Sequence, residues 1–199
     1  MRQRVTKDLY AYWDGLRGAR SAPDRSDINP AAIRHVLADT FIIEIDRECA
    51  FPIRLCGTRI NALWLEDQKG RSFVDLWRAS DQQAVAAAIL TVIDGVSPIV
   101  AGVRARSPDA PEIDLELLLL PLRHFGKTHA RVMGSLAPAY QTGWFGKLAA
   151  NPLELNSLRV IADADRRSVT LSPPMRFRTP PGVARSAPKF VVYEGGKAP

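Results

Sequence analysis

The chain has 199 residues, 46% of them hydrophobic and 24% charged, which suits one ordinary globular domain with extensions. Its net charge of +6 is uneven: from Arg159 onward there are eight Lys/Arg against three Asp/Glu, about +5, so the first 158 residues are nearly neutral. No run approaches the roughly 20 apolar residues of a membrane span, the N-terminus has no apolar signal region, and two cysteines with three scattered histidines give neither a disulfide scaffold nor a metal-ligand spacing; a cytoplasmic protein with no membrane insertion is expected.

In chain order, Val5, Leu9, Tyr12, Trp13 and Leu16 form a helical stripe that weakens at Gly15 and Gly18. Ser21–Asn29 is a loop of turn formers, and Asn29-Pro30 reads as an N-cap followed by proline in the first turn of a short second helix whose apolar face is Ile33, Val36 and Leu37. Thr40–Asp46 and Phe51–Gly57 alternate as two strands of a hairpin. Phe41, Ile43 and Ile45 then share a face with Phe51, Ile53 and Leu55, and Glu44 is placed to pair with Arg54 across the strands. Thr58–Glu66 is a short helix, Gly70–Trp77 a mixed turn, and Ser80–Asp94 an alanine-rich helix with Ser80 as candidate N-cap and Gly95 as stop.

Three strands come next, Ile99–Arg106, Ile113–Arg123 and His129–Ala137. In the second, Ile113, Leu115, Leu117 and Leu119 make one face, while Leu118, Leu120 and Leu122 are apolar on the other. A sheet covered on both faces explains that, with the N-terminal helix as the cover. Past Ala137 the regularity fades. Leu158–Leu171 has room for one strand or helical turn, Ser172–Pro188 is proline-rich and basic, and Lys189–Gly196 is an apolar island that reads equally as a docking segment or a strand packed back on the domain.

A glycine between a strand and a helix, as at Gly57-Thr58, raises the question of a phosphate loop. The chain has neither GxxxxGK[ST] nor GxGxxG inside a βαβ unit, and hairpin-linked first strands exclude the crossover. Gly57 is expected instead where the chain turns over the sheet edge and a side chain would crowd it. Two strands, a helical insert and three strands give an α+β, PAS-like architecture: a five-stranded antiparallel sheet with helices on one face and an N-terminal helical cap. The expected organisation is cap 1–38, domain 39–140, and an irregular, basic, proline-rich extension 141–199.

Tyr12-Trp13, Leu16-Arg17-Gly18, Pro23, Arg25, Asp27-Ile28 and Pro30 ahead of the sheet, then Phe41 and Glu44, "RLCGTR" (Arg54–Arg59) and "GRSFVDLW" (Gly70–Trp77), carry a resemblance that spans about residues 8–140. On these words the chain resembles the short, stand-alone PAS-domain proteins of alphaproteobacteria. The resemblance implies a PAS fold, a role in signalling, and no catalytic residue. It also frames the cofactor question. Flavin-photosensor PAS domains place a reactive cysteine in an Asn-Cys-Arg-Phe word on the helix after the second strand, where this chain has "TRINALWLED". Haem-binding PAS domains take an axial histidine from the long helix, and Ser80–Asp94 has none. Neither covalent flavin nor haem is expected.

A PAS cavity would be lined by Ile43, Leu55, Ile60 and Trp64 together with Phe73, Trp77, Val103 and Leu117. Thr58 or Asn61 would orient a small apolar ligand there; the alternative is that these side chains simply fill the core. The stripe Val5, Leu9, Tyr12, Trp13 and Leu16 is a candidate interface for a homodimer or a signalling partner. Solvated carboxylates, turn histidines and a buried Cys56 assemble no nucleophile–base pair, so an enzyme is not expected. The competing reading is a nucleic-acid-associated regulator: the pI near 9.7 and the basic C-terminal stretch favour it, and the lack of a helix-turn-helix or RNP word and the near-neutral domain oppose it.

Overall fold

A computed structural model describes residues 1–46, 50–95, 97–108, 110–124, 127–140 and 143–161. Their elements are α1 (Arg4–Arg17), β1 (Thr40–Glu44), β2 (Ile53–Cys56), α2 (Thr58–Trp64), α3 (Ala79–Asp94), β3 (Ile99–Ala105), β4 (Ile113–His124), β5 (Lys127–Pro138) and β6 (Glu154–Val160). Single 3-10 turns lie at Arg25–Asp27, Pro30–Ile33, Leu37–Asp39 and Val74–Leu76. All six strands form one sheet in the order β2-β1-β5-β4-β3-β6, with every neighbouring pair antiparallel. The first five strands form the single antiparallel sheet expected, two strands before the helical insert and three after it. The sixth extends it past β3, inside a stretch the sequence marks as irregular.

The strand pattern of β4 explains the layering. Ile113, Leu115, Leu117 and Leu119 enter an inner core against α2 and α3, with Phe41, Ile43, Ile60, Trp77 and Ile89. Leu118, Leu120 and Leu122 enter a separate outer core under Leu9, Tyr10 and Trp13 of α1, closed by Ile28, Ile33 and Val36 of the leader between α1 and β1. The second apolar face of β4 is thus covered by the N-terminal helix, as its composition requires. Trp13 Nε1 donates to Pro121 O at 2.8 Å, and Glu116 accepts from the Arg2 and Gln3 amides at 2.7 and 2.9 Å, which fastens the start of α1 to the sheet.

This covering takes Leu9 and Trp13 of the stripe expected as an interface into the chain's own outer core. Leu9 and Trp13 are 0% exposed, and Val5, Tyr12 and Leu16 are half-buried against the same cluster.

Two local features differ from simple alternation. In the β1–β2 hairpin the Glu44–Arg54 ion pair forms as expected, but Ile42 pairs with Leu55 and Ile43 with Ile53, so Arg54 is an inserted residue. That β-bulge reverses the facing of the next residue and turns Leu55 to the outer side of the sheet, opposite Ile42. In β6, Gly102 pairs with Ser157 and Val103 with Leu155, leaving Asn156 as a second insertion. The bulge and the exposure of Asn156–Val160 remove any period-two signal from that strand.

Gly57 has an ordinary φ of −71°. What it supplies is space: a Cβ there would collide with the carbonyl oxygens of Ala38 and Leu37. Asn29 Oδ1 accepts from Ala31 N at 3.0 Å ahead of Pro30, but this cap opens a single 3-10 turn and not a helix. α3 begins one residue early, with Arg78 at its N-cap and Ser80 Oγ donating to Asp81. Asp81 Oδ2 also accepts from Leu155 N at 2.8 Å and so ties the start of α3 to β6.

Between β5 and β6, Gly143–Leu153 crosses the helical side. Trp144, Ala150 and Leu153 join the inner core, Ala150 N donates to Leu63 O at 2.7 Å, and Leu153 N donates to Leu76 O at 2.8 Å. This strap adds a second cover over α2 and the turn before α3.

Candidate functional site

The residues expected to line an interior cavity divide into three groups. Ile43, Ile60, Phe73, Trp77, Val103 and Leu117 lie together in the inner core, each no more than 3% exposed. Phe41 stacks on Phe73 with ring centroids 4.9 Å apart, and Phe73 meets Trp77 at 6.0 Å. Trp64 packs on the edge of this cluster. The side chains pack on one another as a core does. Trp77 Nε1 is buried in that packing with no hydrogen-bond partner among the described residues.

Asn61 is committed elsewhere. Its Nδ2 donates to Asp67 Oδ1 at 3.1 Å and its Oδ1 accepts from Gln68 N at 3.2 Å, which shapes the loop after α2.

Leu55 faces the outer side, and Thr58 is exposed at the start of α2. With Leu55 turned out by the bulge, both line a groove of about 310 Å³ between β1, β2 and the 3-10 turns of the leader. Its walls are apolar, from Ile28, Ile33, Leu37, Ile42 and Met133. Cys56 borders it too. Burial, then the Asp67 charge, push its thiol up to about 12, which favours the protonated sulfur. Arg25 is the charged side chain on this lining.

A second feature sits where the leader meets β1. Asp39 is 0% exposed and Arg59 donates to its Oδ2, while Oδ1 is buried with no partner among the described residues. Burial holds this carboxyl above its ordinary value of 3.8, opposed by the Arg59 hydrogen bond and charge. The folded state therefore binds the Asp39 proton more tightly than the unfolded chain does. Its contribution to stability is complete below about pH 3.8, is lost as pH rises through the raised folded value, and is flat above that. Asp39→Asn is expected to match or exceed the native chain in urea stability at pH 7, with the difference shrinking toward pH 4. A variant less stable at pH 7 than at pH 4, relative to the native chain, would show the ion pair outweighing desolvation.

The third feature is the outer face of β3, β4 and β6. α1 lies over β4 and β5 and leaves a groove of about 650 Å³ beside it, with Met1–Gln3 as one wall and Val100–Arg104, Asp114–Glu116 and Asn156–Arg159 as floor and sides. Leu158 on this surface is 42% exposed.

The sequence alone assigns no role to Arg25, Asp39, Arg59 or Leu158. Arg25 and Arg59 do stand in the words that carry the PAS resemblance. Asp39 has no such signal, because its burial arises from the leader folding back over β1. The side chains of His124 and His129 and the apolar island Lys189–Gly196 lie outside the described residues. Among the described residues no three His, Cys, Asp or Glu side chains gather as a metal site, and no helix is long and apolar enough to cross a membrane.

Comparison with known proteins adds a family. No curated protein matches the chain. Among solved structures it is similar to the Rhodobacter sphaeroides LOV protein, at 14% identity over 72% of this chain and 71% of that one, with a TM-score of 0.43. An RsLOV variant is similar at 16% identity over 72% of each chain, with a TM-score of 0.40. The model of the PAS domain family matches residues 1–137, which takes in the leader, α1 and all of β1–β4. The chain belongs to the PAS domain family.

Proposed function

We propose that the chain is a non-enzymatic sensory PAS module that acts in bacterial signalling by docking through the outer face of β3, β4 and β6, with a second copy of itself as the partner. The observation that carries this is the half-covered sheet. α1 closes the outer face over β4 and β5, and the next strands carry an open groove of about 650 Å³ with Leu158 exposed on it. The same patch carries both signs of charge, Arg2, Arg104 and Arg159 with Asp114 and Glu116. A two-fold interface sets one patch against itself, so it needs both signs on the same surface. The filled inner core supports docking over an interior ligand, since the side chains that would line a cavity are packed against each other.

Sedimentation equilibrium tests the reading. The native chain is expected as a dimer at micromolar concentration, and Leu158→Asp as a monomer with unchanged circular dichroism. An unchanged association state in the variant would remove this face as the interface. The nucleic-acid reading rests on the basic C-terminal stretch, nearly all of which, residues 162–199, lies outside the described residues.

A further inference from the structure

The groove beside the leader has a property that the β3–β6 face lacks: its walls are apolar and its charge has one sign. Ile28, Ile33, Leu55 and Met133 supply the walls, and Leu55 is 39% exposed there because the bulge at Arg54 turns it out of the core. The protonated Cys56 thiol adds no charge. That leaves the Arg25 guanidinium, half-buried on the lining.

Arg25 would ordinarily be satisfied by the acids of its own turn. Both are engaged by another side chain. Arg20 binds Asp27 Oδ2 at 2.7 Å and Asp24 Oδ2 at 3.3 Å, and Arg123 approaches Asp24 Oδ1 at 3.9 Å. The Arg20 hydrogen bond is the leading reason that the Asp27 carboxyl lies below its ordinary range, which marks it as firmly held. The Arg25 guanidinium has no hydrogen-bond or ion-pair partner among the described residues. A partly buried cation without an anion beside an apolar trough is a costly arrangement in isolation, and an external anion relieves it.

We propose that this groove is a binding site for a small amphipathic anion, an apolar chain with a carboxylate head: the chain lies between the leader turns and β1–β2, and the head takes a forked pair of hydrogen bonds from Arg25. A volume of about 310 Å³ lies at the small end of ligand pockets, which fits a short chain and excludes a large aromatic cofactor. The site is distinct from the β3–β6 face, and neither proposal depends on the other.

Isothermal titration of the full chain with octanoate, 1-octanol and inorganic phosphate separates the contributions of chain and head. Octanoate is expected to bind saturably at one site, octanol at least tenfold more weakly, and phosphate without detectable heat. Arg25→Gln is expected to weaken octanoate at least tenfold without lowering the melting temperature, since the native side chain makes no bond among the described residues and its unpaired charge is removed. Leu55→Glu, at an exposed position, is expected to abolish binding, and it decides the matter should Arg25→Gln fold poorly. No saturable octanoate binding overturns the proposal. So does full-strength binding to either variant, or phosphate binding as tightly as octanoate.

Discussion

Trp13→Ala is expected to cost about 4 kcal/mol of stability and roughly 10 °C of melting temperature, the range for removing a buried tryptophan. The ring is 0% exposed, sits 6.0 Å from Tyr10, carries the Arg17 guanidinium 5.6 Å above its centroid, and donates to Pro121 O. Removing it opens a cavity under α1 and strips a hydrogen bond from a buried carbonyl of β4. Urea denaturation measures the loss. A drop below about 1 kcal/mol would mean that α1 rests on the sheet without holding it. The leader would then be an appendage and not one wall of a shared outer core. Tyr12, one residue earlier on a half-buried position, is expected to tolerate alanine far better.

Gly57→Ala is expected to cost about 3 kcal/mol, as a buried methyl forced into filled space does. The obstruction is backbone on both sides, the carbonyl oxygens of Leu37 and Ala38, so no side chain can swing away to relieve it. α2 begins at the next residue, and Gly57 N donates to Thr40 O at 2.9 Å, so relief by moving the turn would disturb the end of the β1–β2 hairpin as well. Gly70, whose φ is +86° but whose Cβ would meet nothing within 4 Å, is the control. Its alanine variant carries only backbone strain and is expected to lose less. Equal losses at the two glycines in chemical denaturation would argue against steric closure at Gly57.

The residues that reveal the fold in the sequence do so through patterns that survive local averaging. Ile113 to Leu119 alternate, Leu118 to Leu122 fill the intervening positions, and together they require a sheet with cover on both sides. Glu44 and Arg54 mark a hairpin that the structure contains. The positions that differ share another cause. Counting twos from Ile53 places Leu55 inward, and one inserted residue at Arg54 reverses that count; a bulge has no composition of its own. β6 is an edge strand, mostly exposed and interrupted by Asn156, so neither alternation nor hydrophobicity marks it. Leu9 and Trp13 are legible as an apolar stripe, but a stripe does not say whether its partner is the same chain or another. Of the expected cavity residues, six are core, and Leu55, turned outward, and Thr58, exposed at the start of α2, line the leader groove. Arg25 acquires meaning only because Asp24 and Asp27 are engaged by Arg20, a relation between side chains that spacing does not encode.

On the proposed reading this is a PAS module whose interior is filled and whose chemistry lies on its outer surfaces. α1 is a fixed layer, the β3–β6 face is the docking surface, and the leader groove is a ligand site open to solvent.

Native mass spectrometry of the freshly purified full chain tests this most directly. The expected spectrum shows a dimer at twice the 21.9 kDa chain mass with no added mass, and octanoate adducts only when octanoate is supplied. A monomer carrying a retained compound, present equally in the native chain and in Arg25→Gln, would put a ligand inside the core and contradict the assignment of function to the outer faces.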